Sequence, residues 1–257
     1  MPHRRRSRPP RPHVDVWWTP PLDVPDAAFL PVLDPAERAR HGALPVPLRT
    51  PFVQARALLR VAVGRRSGVA PAAVGLAARC PACAGDHGPV TVTVPAAPPL
   101  HVSLTRSGPL LAVAVTEAGP VGVDVVACDD VAAAPLADVA LGPRERARHD
   151  RLPADARTAA LARAWARTEA VLKARRTGLR TDPADVDVRR DRVRVPGSRT
   201  PVRVRDLPLG AGVVGAVAVD APPGRGRPGD RLRAAGRGGM TVSVHDGSAL
   251  LAGCAPR

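Results

Sequence analysis

His101-Val102-Ser103-Leu104-Thr105-Arg106, then Ser107-Gly108-Pro109, then Leu110-Leu111-Ala112-Val113-Ala114-Val115 reads as two strands joined by a tight turn. The first run alternates, the Gly-Pro step interrupts it, and the second run returns. Its last four letters come back as Ala216-Val217-Ala218-Val219. There too a hairpin pattern leads in: Val202 to Arg205 alternates, Leu207-Pro208-Leu209-Gly210 makes a loop, and Val213 to Val219 returns. Four Ala/Val letters mean little in a chain so rich in both. Agreement of the flanking hairpins is what points to a duplicated unit.

Each hairpin is preceded by a helical rhythm. Residues 50–63 space Phe52, Val53, Ala57, Leu58 and Val61 at helical intervals, with Pro51 suited to a first turn. Residues 154–177 place Leu161, Trp165, Leu172 and several alanines on one side, and Gly178 follows as a stop. Gly122-Val123-Asp124-Val125-Val126 reads as a short strand after the Gly119-Pro120 break, opening the second half. The expected fold is α+β: two pseudo-repeated α/β halves, residues 14–118 and 119–220, each a small sheet with a long helix. A cleft between them is the natural ligand site.

The chain has 257 residues, 45% of them apolar, enough for a core, with only three Trp, two Phe and no Tyr. A net charge of +15 raises the question of nucleic acid, so its distribution matters. The basic arm 1–13 and the Gly/Pro/Arg-rich tail 221–257 supply nine of those charges. Both ends lack apolar periodicity and read as disordered. Basic ends bind polyanions weakly, whereas base stacking needs aromatic side chains that are nearly missing, so a basic nucleic-acid-binding protein is a lesser reading. No run of 18 apolar residues suggests a membrane span, and Arg4-Arg5-Arg6 lacks the apolar segment of an export signal. Four cysteines make no disulfide framework, and a reducing cytoplasm is the expected compartment.

Lysine occurs once, at Lys173, among 37 arginines. It stands four residues after Glu169, so the two share a helix face. An ammonium is a compact, mobile charge with three rotatable donors, suited to a phosphate oxygen. Asp124 interrupts an otherwise apolar strand, which is costly unless it is paired, hydrogen-bonded or bound to a cation. A strand carboxylate and a helix carboxylate can meet where the helix packs on the sheet, and two hard oxygens are the usual protein share of a Mg²⁺ site.

Gly122-Val123-Asp124, followed by Trp165-Ala166-Arg167-Thr168-Glu169-Ala170 with Lys173 and Gly178-Leu179, resembles the 4′-phosphopantetheinyl transferases, and most nearly their two-half, single-chain, surfactin-synthetase-activating type. Arg49 before the first helix, Cys80 to Pro89, and the hairpin from His101 to Gly108 follow in the matching order, so the likeness runs over about residues 30–218. The resemblance implies a cytoplasmic enzyme, acting as a monomer apart from membranes and nucleic acid, of the kind met in secondary metabolism. It would move the phosphopantetheine arm of coenzyme A to a serine of an acyl, peptidyl or polyketide carrier protein. Asp124 and Glu169 would hold Mg²⁺, Glu169 or a water it orients would take the serine proton, and Lys173 would steady the transferring phosphate. Arg49, Ser103, Arg106, Ser107 and Lys173 would bind coenzyme A.

Four positions depart from the family pattern. Val126 stands where a second acid is common, Thr168 where Lys is common, and Arg106 where the hairpin His is usual, and Gly88 is followed at once by Pro89 with no basic residue between. They open the reading of a catalytically weakened relative that still binds coenzyme A or a carrier. Cys80-Pro-Ala-Cys83 with His87 is half of a structural zinc pattern and reads as a tight loop. Asp182, Asp185 and Asp187 lack the spacing of a calcium loop, Asp129-Asp130 reads as a helix start, and Arg144-Glu145-Arg146 as a solvated helix face.

Overall fold

The computed structural model describes residues 11–80, 83, 85, 88–93, 98–108, 110–133, 135–221 and 239–254. Residues 1–10, His87, Pro109, 222–238 and 255–257, on which parts of the sequence expectations fall, lie outside them. In chain order the elements are β1 (His13–Thr19), α1 (Pro35–Ala43), α2 (Val46–Ser67), β2 (Leu76–Ala77), β3 (Thr91–Val92), β4 (His101–Ser107), β5 (Leu110–Thr116), β6 (Val121–Ala127), α3 (Cys128–Ala132), α4 (Ala137–Ala140), α5 (Pro143–His149), α6 (Ala154–Arg175), β7 (Arg192–Val193), β8 (Val202–Leu207), β9 (Val213–Val219), β10 (Thr241–Asp246) and α7 (Gly247–Ala252). Strands β2 and β3 form a small separate pair, and the rest build two four-stranded sheets ordered β10-β1-β5-β4 and β6-β9-β8-β7.

The duplication is visible in strand order. β1-β5-β4 in the first sheet and β6-β9-β8 in the second are both antiparallel runs, each holding one hairpin. Strand periodicity then sorts the core. Leu110, Ala112 and Ala114 of β5 share one apolar cluster with Val121, Val123 and Val125 of β6 and with Val217 and Val219 of β9. Val113 and Val115 point the other way, to α2, while Ala216 and Ala218 point to α6. The two inner sheet faces therefore press on one shared layer, and a helix covers each outer face. The molecule is α+β as expected, and β4, at the edge of the first sheet, meets β6, at the edge of the second.

Helices α2 and α6 have 22 residues each. α2 starts earlier than the apolar rhythm suggests, at Val46, with Pro45 as its cap and Pro51 inside it; the proline ring removes one ladder donor close to an end that already has orphans. α6 has Asp155 in its first turn and Lys173 and Arg175 in its last, matching the helix dipole. Its stop is Arg176, at φ 57° in the left-handed region, rather than the expected Gly178. No described helix is long and apolar enough to cross a membrane.

Part of the basic tail is folded. Residues 221–257 were expected to be disordered, yet Thr241–Asp246 pairs in parallel with β1, His13 opposite Thr241 through Trp18 opposite Asp246. Val242 and Val244 pack on the shared layer, Trp17 stacks on His245 with centroids 5.0 Å apart, and α7 is capped by Asp246 through the Ser248 N–H. The physical reason is the alternation Thr-Val-Ser-Val-His-Asp, a strand signal hidden behind a long Gly/Pro/Arg stretch. His13 likewise belongs to β1 and not to the basic arm.

Candidate active site

The site begins with an absent side chain. A Cβ on Gly122 would lie 2.0 Å from the Ala170 carbonyl oxygen, 2.6 Å from the Ala174 nitrogen and 2.8 Å from the Lys173 Cβ. Only glycine lets α6 lie this close on β6, and that closeness brings the lone lysine to Asp124. The Lys173 Nζ stands 2.7 Å from Asp124 Oδ1, 3.2 Å from the Val123 carbonyl oxygen and 3.2 Å from Thr105 Oγ1. Each of the ammonium's three donors can thus find an acceptor.

β6 is an edge strand, so one row of its backbone groups has no partner strand. Side chains replace that partner. Val123 donates its N–H to Ser103 Oγ at 3.1 Å, and its carbonyl accepts from Lys173. Asp124 is buried, with its Oδ1 accepting from both the Thr105 hydroxyl, at 2.8 Å, and the ammonium. This answers the cost of a carboxylate in an apolar strand.

Glu169 is half-buried on α6, and among the described residues its carboxylate accepts no hydrogen bond. Burial pushes its pKa up from the ordinary value; the Lys173 charge opposes that shift and the Asp124 charge adds to it. Glu169 is therefore close enough to feel both, one helical turn before Lys173 on α6, while the direct contact in the group is that of Lys173 with Asp124. Two carboxylates and one ammonium leave one negative charge over, with Asp124 buried and Glu169 half-buried. That donor set suits a divalent cation keeping several waters or phosphate oxygens. Among the described residues no cluster of three or more His, Cys, Asp or Glu side chains could hold a metal. Val126, where a second acid is common in the resembled family, is packed into the α6 core.

Of the five residues expected to bind coenzyme A, Lys173 is at Asp124 and the other four do not form one set. Alternation along β4 divides the hairpin: Ser103 and Thr105 face β6, while Arg106 faces α2. Ser103 is buried at the junction of the halves, bonded to Val123, and Ser107 is half-buried at the hairpin tip. Arg49 donates to the Leu44 carbonyl at 2.9 Å and the Gly42 carbonyl at 3.0 Å, tying the end of α1 to the start of α2. Arg106 joins a basic group absent from the sequence reading. Its guanidinium carbon stands 5.8 Å from the Phe52 ring centroid, with Arg40 at 5.6 Å and Arg56 at 5.8 Å from the same centroid. Desolvation lowers the Arg106 pKa, and Arg40 lowers it further. Arg56 is also lowered, by burial first; Glu37 opposes this and the neighbouring arginines add to it. Three cations stand around one ring, on the side of β4 opposite Asp124, and Glu37 is paired with Arg56 among them at 3.6 Å.

Thr105, Arg40 and Arg56 are the residues that the sequence reading missed. Arg56 follows Phe52 by one helical turn, and that spacing was the available signal. Thr105 carries no signal of its own, because only strand pairing decides which face of β4 meets β6. No curated protein matches the chain at a significant level. The stretch holding Asp124, Glu169 and Lys173 does have a family likeness: residues 120–210 match the model of the 4′-phosphopantetheinyl transferase superfamily.

Proposed function

We propose that the protein transfers the 4′-phosphopantetheine arm of coenzyme A to a serine of an acyl, peptidyl or polyketide carrier protein. The observation that supports this most is the contact of Lys173 with Asp124 where α6 lies on Gly122, with Glu169 one helical turn away, inside the segment that matches the superfamily. In the reaction the serine Oγ bonds to the β-phosphorus of coenzyme A, the bond from that phosphorus to the bridging oxygen breaks, and 3′,5′-ADP leaves. The serine proton passes to Glu169 or to a water it holds, a role to which a carboxylate with a raised pKa is suited.

Asp124 and Glu169 would hold Mg²⁺, which would supply charge neutralisation along the diphosphate. Asp124 would do so through Oδ2, because Oδ1 already accepts from Thr105 and Lys173. Lys173 would exchange one of its three acceptors for a phosphate oxygen, keeping its charge beside the breaking bond. Arg40, Arg56 and Arg106 would take the phosphate of the adenosine end. The enzyme would act as a cytoplasmic monomer of the two-half, single-chain type. With Val126 buried in the α6 core, Asp124 and Glu169 alone would hold the metal, and water or phosphate oxygens would be needed for its remaining places.

The test is incubation of the purified chain with an apo carrier protein, coenzyme A and Mg²⁺. A mass gain of one phosphopantetheine arm supports the reading, and no gain with acyl, peptidyl and polyketide carriers refutes it. Glu169→Gln should lower turnover by at least ~10²-fold without loss of fold, as removal of a base and ligand implies. An unchanged rate would remove Glu169 from both roles.

A further inference from the structure

The Thr105 hydroxyl is buried and has two charged neighbours. It donates to Asp124 Oδ1 at 2.8 Å and accepts from the Lys173 ammonium at 3.2 Å, while the ammonium reaches the same Oδ1 at 2.7 Å. Oγ1, Nζ and Oδ1 thus close a triangle. Asp124 and Lys173 come from the second half, on β6 and α6. Thr105 comes from the first half, on the edge strand β4. Ser103, two residues earlier on the same face, fixes the register of that contact through the Val123 N–H.

We infer that Thr105 is a positioning residue: its hydroxyl holds Asp124 and Lys173 in one fixed arrangement, so that the first half sets the geometry of charged groups belonging to the second. Three consequences follow from the triangle. Among the described residues Asp124 Oδ1 accepts two hydrogen bonds and Oδ2 accepts none, so Asp124 would meet a cation through Oδ2. The ammonium sits at Oδ1, tethered there by Thr105 Oγ1 and the Val123 carbonyl. Loss of the hydroxyl frees the carboxylate to rotate, and the ammonium then competes with a cation for both oxygens. Groups that orient a metal-binding carboxylate commonly matter ten- to hundredfold for affinity or rate. The inference rests on the proposed transfer reaction for its catalytic consequence, though not for the triangle itself.

The composition provides the test. Lys173 is the only lysine, so full-length protein made with ¹³C,¹⁵N-lysine gives one side-chain signal reporting on this site alone. Thr105→Val keeps the shape and deletes the hydroxyl, and Thr105→Ser keeps the hydroxyl. In metal-free protein the Val variant should move the lysine signal, and the Ser variant should return it towards the wild-type position. Titration with Mg²⁺, followed on the same signal, should give about tenfold weaker binding for Thr105→Val and near wild-type binding for Thr105→Ser. In the transfer assay kcat should fall ~10- to 100-fold for the Val variant while KM for coenzyme A stays constant.

An unmoved lysine signal and unchanged Mg²⁺ affinity in a folded Thr105→Val protein would overturn the inference and leave the transferase reading standing. A raised KM with unchanged kcat would also overturn it, making Thr105 a coenzyme A contact instead. If the wild type transfers nothing, the proposed function fails, and the lysine signal and Mg²⁺ titration still decide the role of Thr105.

Discussion

Helices α2 and α6 occupy matching places in the two halves, and each carries one fully buried arginine. Arg60 on α2 donates to Glu37 at 2.7 Å, to Asp34 at 2.6 Å and to the Val74 carbonyl at 2.6 Å. Arg167 on α6 donates to the carbonyls of Val188 and Arg190, at 2.7 and 2.8 Å, and to Asp206 at 2.8 Å. Both pin a connecting segment to a helix. They differ in what surrounds the charge: Glu37 is buried with Arg60, whereas Asp206 is 41% exposed. The helix-covered faces differ more. Val113 of β5, facing α2, is paired with Trp17, and Ala216 of β9, facing α6, is paired with Asp124. The first half fills that position with an aromatic ring, and the second half puts its carboxylate there. One scaffold, used twice, is packed in one copy and charged in the other.

Gly122→Ala should break the charged copy most severely. The added methyl meets backbone atoms of α6, so the helix must shift, and Lys173 and Glu169 shift with it. A displacement of about 1 Å near reacting groups can cost 10²-fold in rate. Turnover should drop at least that far, with a lower Tm. A variant with wild-type turnover and melting would show that the close approach is not required.

The buried arginines come next in size and should separate. Arg60→Met leaves Glu37 buried without its main cation, which typically costs about 3–5 kcal/mol. Arg167→Met leaves two carbonyls without donors, but its carboxylate partners already reach water, so the cost should be about 1–3 kcal/mol. Urea unfolding of the two variants measures the difference directly. Equal losses would mean that burial of the partner carboxylate does not set the cost.

Legibility in the sequence follows the same division. Strand alternation gave both hairpins and β6, and the helical rhythm with the Glu169–Lys173 spacing gave α6, because those patterns are local. Asp124 was legible because a charge in an apolar strand needs a reason. Thr105 and the arginines about Phe52 were not, since their meeting depends on which face of β4 turns to β6 and which to α2. β10 was missed for a related reason: its parallel partner β1 lies at the far end of the chain, and nothing near Thr241 announces such a pairing.

The helix ends supply the smallest contrast. α2 stops on Gly68 at φ 72°, and α6 stops on Arg176 at φ 57°. A side chain in the left-handed region brings its Cβ close to the next carbonyl, at a cost of roughly 1–2 kcal/mol that glycine escapes. Glycine in turn loses more backbone freedom on folding, by roughly 0.5–1 kcal/mol. Arg176→Gly should therefore stabilise the protein by no more than about 1 kcal/mol, and Gly68→Ala should destabilise it by a similar amount. A Cβ at Gly68 meets nothing within 4 Å, so its effect would come from backbone conformation alone. Arg176 has a second effect, because its charge lowers the His101 pKa after burial has already done so. If Arg176→Gly stabilised by well over 1 kcal/mol, relief of that charge contact would have to be counted with the backbone. If it destabilised, the long side chain would be holding the end of α6 in a way that the Gly68 end of α2 does without.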